Sequence, residues 1–134
     1  MKAVWLFLIV VFSPLSSSAQ SSDKVQTFTV GNENVSFTWF ESRGITITSK
    51  CVEAGKLRNC DAKKALERVN LSKLEKDSLG RNPGALLCSA QLGGTVVWAK
   101  DAKENERTFC KFRDSSMVGS GTLAHYGRVN SKRP

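Results

Sequence analysis

The 134-residue chain is poor in histidine and has no closely paired cysteines. His125 is its only His, which excludes a His-rich metal site and leaves a single candidate general base. The four Cys, at positions 51, 60, 88 and 110, form no CxxC pair, the spacing typical of structural zinc sites. No metal site and no cofactor is therefore expected. A glycine-rich phosphate loop of the Walker or dinucleotide type is absent. After Phe12 no apolar run approaches the roughly 20 residues that a spanning helix needs. No acidic residue follows Asp114. Repeats, coiled-coil heptads and low-complexity tracts are absent as well.

What is present begins at the N-terminus. Met1-Lys2 places one positive charge before AVWLFLIVVF (Ala3 to Phe12), an unbroken apolar run closed by Pro14 and serines. Ser17-Ser18-Ala19 supplies small residues at the −3 and −1 positions of a cleavage site. The pattern predicts a signal peptide over residues 1–19, removed before Gln20. The expected location is periplasmic or extracellular. No Cys stands at the cleavage site, so a lipid anchor is not expected.

Residues 20–134 contain all four Cys. An even number in an exported chain predicts two disulfides. Three pairings exist on paper, and the sequence leaves them open. Closing each bridge within one supersecondary unit favours Cys51–Cys60 and Cys88–Cys110. In the chain-entropy model these loops contribute about 2.6 and about 3.4 kcal/mol.

The coarse secondary structure follows from periodicity and turn chemistry. Val25–Val30 and Val35–Phe40 alternate around Gly31-Asn32-Glu33-Asn34, and Ile45–Thr48 follows the turn Glu41–Gly44. These segments predict a three-stranded meander with one apolar face. A loop between Cys51 and Cys60 holds Gly55, Lys56 and Arg58. Asp61 is placed to cap a helix whose stripe is Ala62, Ala65, Leu66 and Val69. Ser72 and Glu75, at capping-box spacing, suggest a restart. Asn82-Pro83 then reads as an N-cap and first helical residue, and Gly93-Gly94 as a helix stop. Thr95–Lys100 and Arg107–Phe112 read as a hairpin around the polar Asp101–Glu106. The expected fold class is α+β: a small disulfide-stapled domain. An N-terminal meander and helix (residues 20–81) precede a helix-plus-hairpin unit with a basic tail (residues 82–134).

Asn82-Pro83, Cys88, Gly93-Gly94, Asp101, Cys110 and Asp114, in this order and spacing, resemble a small exported bacterial domain of unknown function that carries the inherited label of haemolysin. The resemblance covers residues 82 to about 128 and leaves the N-terminal half outside. Such domains carry a further Cys pair around an acid-rich, tryptophan-containing segment. Here that segment reads SSMVGSGTLAHYGR, with Val118 about where the first of the pair belongs. The resemblance implies an exported location and a membrane-damaging role, and no reaction.

Little in the side chains points to catalysis. Ser120, His125 and Asp114 are close in sequence, but no nucleophile-elbow pattern surrounds Ser120, and Gly119-Ser120-Gly121 reads as a flexible turn. Glu53, Glu104 and Glu106 read as solvated carboxylates. No catalytic residue is assigned, and a non-enzymatic protein is expected; a hydrolase would need His125. Charge is the feature above background. The net charge is +8, with 20 basic and 12 acidic residues. Loss of residues 1–19 removes Lys2 and no acid, leaving +7. Lys56, Arg58, Lys63, Lys64 and Arg81 are the candidate anion-binding residues. An anionic envelope component or acidic protein is the expected partner. Specific nucleic-acid readout is not expected, since no recognition motif is present, and the chain is expected to be monomeric. The expected role is a binding or envelope-associated module.

Overall fold

The computed structural model describes residues 10, 11, 13, 14, 23–74 and 82–134. The expected signal peptide lies almost wholly outside the described residues. So do Glu75 of the expected capping box and the candidate anion-binding Arg81.

The N-terminal meander forms as its alternation requires. Strand β1 (Lys24–Val30) pairs with β2 (Glu33–Phe40) from Val30↔Glu33 to Lys24↔Trp39. The connection is the two residues Gly31-Asn32, with Gly31 at φ +61°, tighter than the four-residue turn expected. Positive φ at such a turn matches the strand twist and favours glycine. Strand β3 (Ile45–Thr48) pairs with β2 from Phe40↔Ile45 to Phe37↔Thr48. Between Cys51 and Cys60, β4 (Val52–Glu53) and β5 (Lys56–Leu57) make a small hairpin where a loop was expected.

A second meander follows the helical segment. Strands β6 (Thr95–Lys100) and β7 (Glu106–Lys111) pair from Thr95↔Lys111 to Lys100↔Glu106. Their loop is tied by Asp101 Oδ1, which accepts from the Lys103 and Asn105 amides at 2.9 Å each. Asn105 Nδ2 also donates to Asp101 Oδ2 at 3.1 Å, and this bond, ahead of the two amides, holds the Asp101 carboxyl below its ordinary range. Strand β8 (Met117–Gly119) then pairs with β7 from Phe109↔Gly119 to Lys111↔Met117.

The strands do not stop at two separate meanders, and the expected α+β class does not hold. The six strands close into an antiparallel barrel in the order β1-β2-β3-β8-β7-β6; the chain is not an α+β domain ending in a helix-plus-hairpin unit. A three-stranded meander leaves two edges of unpaired N–H and C=O groups, and here each meander covers the edges of the other. The seams are narrow. One is Ile47↔Val118 between β3 and β8, and the other is Thr29↔Lys100 with Val30↔Ala99 between β1 and β6.

Alternation along the strands builds two separate cores. Phe28, Phe37, Ala99, Phe109 and Met117 fill the barrel interior. Phe28 meets Phe37 and Phe109 edge-on at 5.4 and 5.2 Å, and Phe37 lies 4.2 Å from Phe109. Aromatic pairs of this kind add about 1 kcal/mol each beyond burial. On the outer face, Ile45, Ile47, Cys110 and Val118 pack against Ala65, Leu66, Leu87 and Leu123 from the helices.

Three α-helices among the described residues cover that outer face: α1 (Asp61–Arg68), α2 (Pro83–Ala90) and α3 (Ser120–Ser131). The predicted stripe of α1 is buried in full. Its cap differs from expectation. Asp61 is the first helical residue, and Cys60 Sγ accepts from the Lys63 amide at 3.3 Å. Asp114 Oδ2 accepts from the Asp61 amide and Ser116 Oγ from the Ala62 amide, both at 2.9 Å. Helix α2 follows expectation: Asn82 Oδ1 accepts from the Gly84 and Ala85 amides. Gly93 takes the left-handed stop at φ +66°. Gly94 is required for another reason, since a Cβ there would lie 2.3 Å from Cys110 Sγ. Helix α3 was not foreseen. Gly119-Ser120-Gly121 is its strand-to-helix junction, not a flexible turn.

Both disulfides are present, Cys51–Cys60 and Cys88–Cys110, with Cα separations of 5.9 and 5.5 Å. The first ties the end of the N-terminal meander to the start of α1, and the second ties α2 to β7. No helix among the described residues is long and apolar enough to cross a membrane.

Candidate functional site

The candidate anion-binding residues do not converge. Lys56 and Arg58 project from the β4–β5 hairpin and are exposed. Lys63 and Lys64 are neighbours on α1 and so point to different sides. Lys63 lies 3.5 Å from Glu67 and borders a shallow depression with Arg43, Tyr126 and Arg133. Lys64 lies 3.9 Å from Asp61 and faces a larger one. Both ion pairs are solvent-exposed and contribute little to stability.

The larger depression has a volume of about 500 Å³ and is lined by Asp61, Lys64, Arg68, Leu92, Gly93, Phe112 and Arg113. Three cations and one carboxylate surround it. The Arg68 guanidinium is held there by donating through Nη2 to the Leu92 carbonyl at 3.0 Å. Arg113 comes from the far side of the chain, brought in because the segment after β7 carries the remote cap of α1. Sequence proximity pointed to α1 but not to Arg113.

That remote cap is an electrostatic unit. Burial opposes the charged form of Asp114, but the Asp61 amide, the Ser116 hydroxyl and amide, and Lys50 together hold its carboxyl below the ordinary range. Ser116 Oγ donates to Asp114 Oδ1 at 2.6 Å, and Lys50 Nζ donates to the Asp114 carbonyl. Asp114 is therefore engaged at α1.

The imagined Ser120–His125–Asp114 relay is not assembled. Ser120 sits in the first turn of α3, 2% exposed, and its Oγ has no hydrogen-bond partner. His125 lies further along α3, exposed and edge-on to Tyr126 at 5.4 Å. Among the described residues, no group of three His, Cys, Asp or Glu side chains is arranged to hold a metal ion.

A second cavity was not visible in the sequence. It has a volume of about 410 Å³, and its wall includes Asn82, Trp98, Glu106, Arg107, Ser120 and Gly121. It exists because β8 ends at Gly119 and turns into α3, while β7 runs on to Glu106. Glu106, Arg107 and Thr108 pair with β6 but have no partner in β8. Asn82 closes one side, donating through Nδ2 to Thr108 Oγ1 at 3.2 Å. Trp98, opposite Thr108 in the ladder, stands at the rim and is 66% exposed. The one available sequence signal was the outward alternation of Trp98 in a strand whose Val97 and Ala99 face the barrel.

No protein-family model matches the chain, and neither a curated protein nor a solved structure matches it.

Proposed function

We propose that the protein is an exported, non-enzymatic binding module that holds an acidic envelope polymer against the α1 face. The observation that carries this reading is the cationic depression of Lys64, Arg68 and Arg113 around Asp61. Two disulfides support an oxidising compartment, where such bonds persist. The basic excess of the chain favours a polyanion by long-range attraction. Lys56 and Arg58 on the β4–β5 hairpin are exposed further cations, and a polymer, unlike a small anion, can touch several separated cations at once.

Binding of the mature protein to dextran sulfate, used as a model polyanion, tests the reading. Affinity falls as salt rises, because exposed charges are screened beyond about 8 Å at physiological ionic strength. Charge reversal at Lys64, Arg68 and Arg113 abolishes binding while leaving the fold intact. Reversal at Lys56, Arg58 and Lys63 weakens it less. Binding that survives both high salt and the triple reversal rejects the reading. Dye release from anionic vesicles at the same protein concentration would instead favour the membrane-damaging role.

A further inference from the structure

We propose that the cleft between β7 and the start of α3 binds a carboxylate-bearing sugar unit. The site is separate from the basic α1 face and stands without it. Helix α3 runs over twelve residues, and no side chain caps its start. Its first-turn amides are donors without intrahelical partners and carry the positive end of the helix dipole.

Independent of the helix start is the hydroxyl of Ser120. Ser120 forms part of the cleft wall, and its Oγ is the one buried side-chain polar atom without a partner among the described residues. Buried hydroxyls are ordinarily paired, and rotation of this one about its Cα–Cβ bond would offer it to a ligand oxygen in the cleft. Arg107, which lines the cleft from the barrel-side face of β7, adds a permanent cation able to meet a carboxylate in bidentate fashion.

The rest of the wall selects the ligand further. Thr122 Oγ1 is already engaged, accepting from the Thr46 amide and donating to the Gly44 carbonyl. Thr108 Oγ1 is engaged by Asn82. Glu106 places a carboxylate in the wall, which repels a multiply charged anion such as phosphate but accepts hydrogen bonds from hydroxyls. Trp98 offers an exposed flat apolar surface at the rim. One carboxylate, several hydroxyls and a flat C–H face together describe an acidic sugar. The cavity volume of about 410 Å³ lies in the range of small-molecule sites.

The test is a titration of the ¹⁵N-labelled mature protein with glucuronate, glucose, acetate and inorganic phosphate, followed by amide and indole shifts. Glucuronate produces saturable shifts at Gly121, Thr122, Leu123 and the Trp98 indole. Glucose, acetate and inorganic phosphate each bind at least about tenfold more weakly, a difference of about 1.4 kcal/mol. Trp98→Ala and Arg107→Ala each weaken glucuronate by a similar factor with well-dispersed spectra, and Ser120→Ala weakens it measurably. Lys64→Glu leaves glucuronate binding unchanged even where it disrupts polyanion binding. The proposal is overturned if glucuronate gives no saturable shift up to its solubility limit. It is also overturned if glucose, acetate or phosphate binds as tightly as glucuronate, or if the shifts cluster around Lys64 and Arg68.

Discussion

The barrel interior and the helix-covered outer layer are built from the same six strands but held by different means. The interior uses three interlocked phenylalanines, with Met117 and Ala99, and contains no cysteine. The outer layer uses mainly aliphatic residues with the separate rings of Phe40 and Phe112, both cystines, and side-chain caps drawn from distant segments. The difference follows from what each element can do alone. Strands satisfy their backbone groups through the ladders, so the interior needs only volume. Helices α1 and α2 have eight residues each, shorter than the roughly 12–15 at which isolated helices become even marginal. They persist because they are pinned. The outer layer is thus the part that depends on oxidation and on charge, while the interior depends on packing.

The largest effect is expected from the interior. Phe37→Ala removes the ring that touches both other phenylalanines and should cost about 3–5 kcal/mol. Urea denaturation should show the whole molecule losing stability in one transition. A loss confined to the helices would break the division into a packed interior and a pinned layer.

Disulfide removal comes next. Replacing both Cys88 and Cys110 by Ala should cost about 3.4 kcal/mol, and replacing Cys51 and Cys60 about 2.6. Hydrogen exchange should show α2 losing protection first in the former case and α1 in the latter. The barrel amides should be the last to exchange in both. Equal loss of protection across barrel and helices would show that the pinned helices do not open separately from the barrel.

A smaller effect is expected from the remote cap. Asp114→Ala should cost about 1 kcal/mol near neutral pH, the usual magnitude for a lost N-terminal cap. The folded state holds this carboxyl below its ordinary range. Its contribution is therefore present above the unfolded carboxylate pKa and disappears as pH falls through the lower folded value. Thermal melts should show the wild-type advantage over Asp114→Ala shrinking as pH falls into that range. A constant gap across the acid range would mean that the carboxylate charge is not what holds α1.

The smallest effect is expected at Ser120. Its hydroxyl has no partner, so Ser120→Ala should leave stability within about 0.5 kcal/mol of wild type or raise it slightly. A clear loss of melting temperature would show that the hydroxyl belongs to the outer-layer packing. It would then no longer count as a group held for a ligand.

Legibility followed the range of the interactions. The β1–β2 hairpin, the α1 stripe, the Asn82 cap and the Gly93 stop were all readable, because alternation, helical spacing and turn chemistry act over a few residues. The disulfide pairing was favoured but not fixed by the same reasoning: local closure pointed to Cys51–Cys60 and Cys88–Cys110, and the folded chain makes that choice. Helix α3 was missed because the two glycines beside Ser120 resemble a turn. Only the spacing of Leu123, Ala124 and Gly127, all buried, marks its inner face. The cationic depression was half readable, since Lys64 and Arg68 are one turn apart on α1 while Arg113 arrives from elsewhere.

Read along the chain, the residues define most of the local elements and the sign of the charge, and they favour one cysteine pairing without deciding it. Barrel closure was decided only in three dimensions. It rests on Ile47 meeting Val118 and on Val30 meeting Ala99, edges that carry no local signature because any unpaired strand edge presents the same backbone groups. The α1 cap from Asp114 and Ser116 and the cleft beside α3 are consequences of that closure. Both join segments far apart in the chain, and no spacing rule written along the sequence reaches across such a distance.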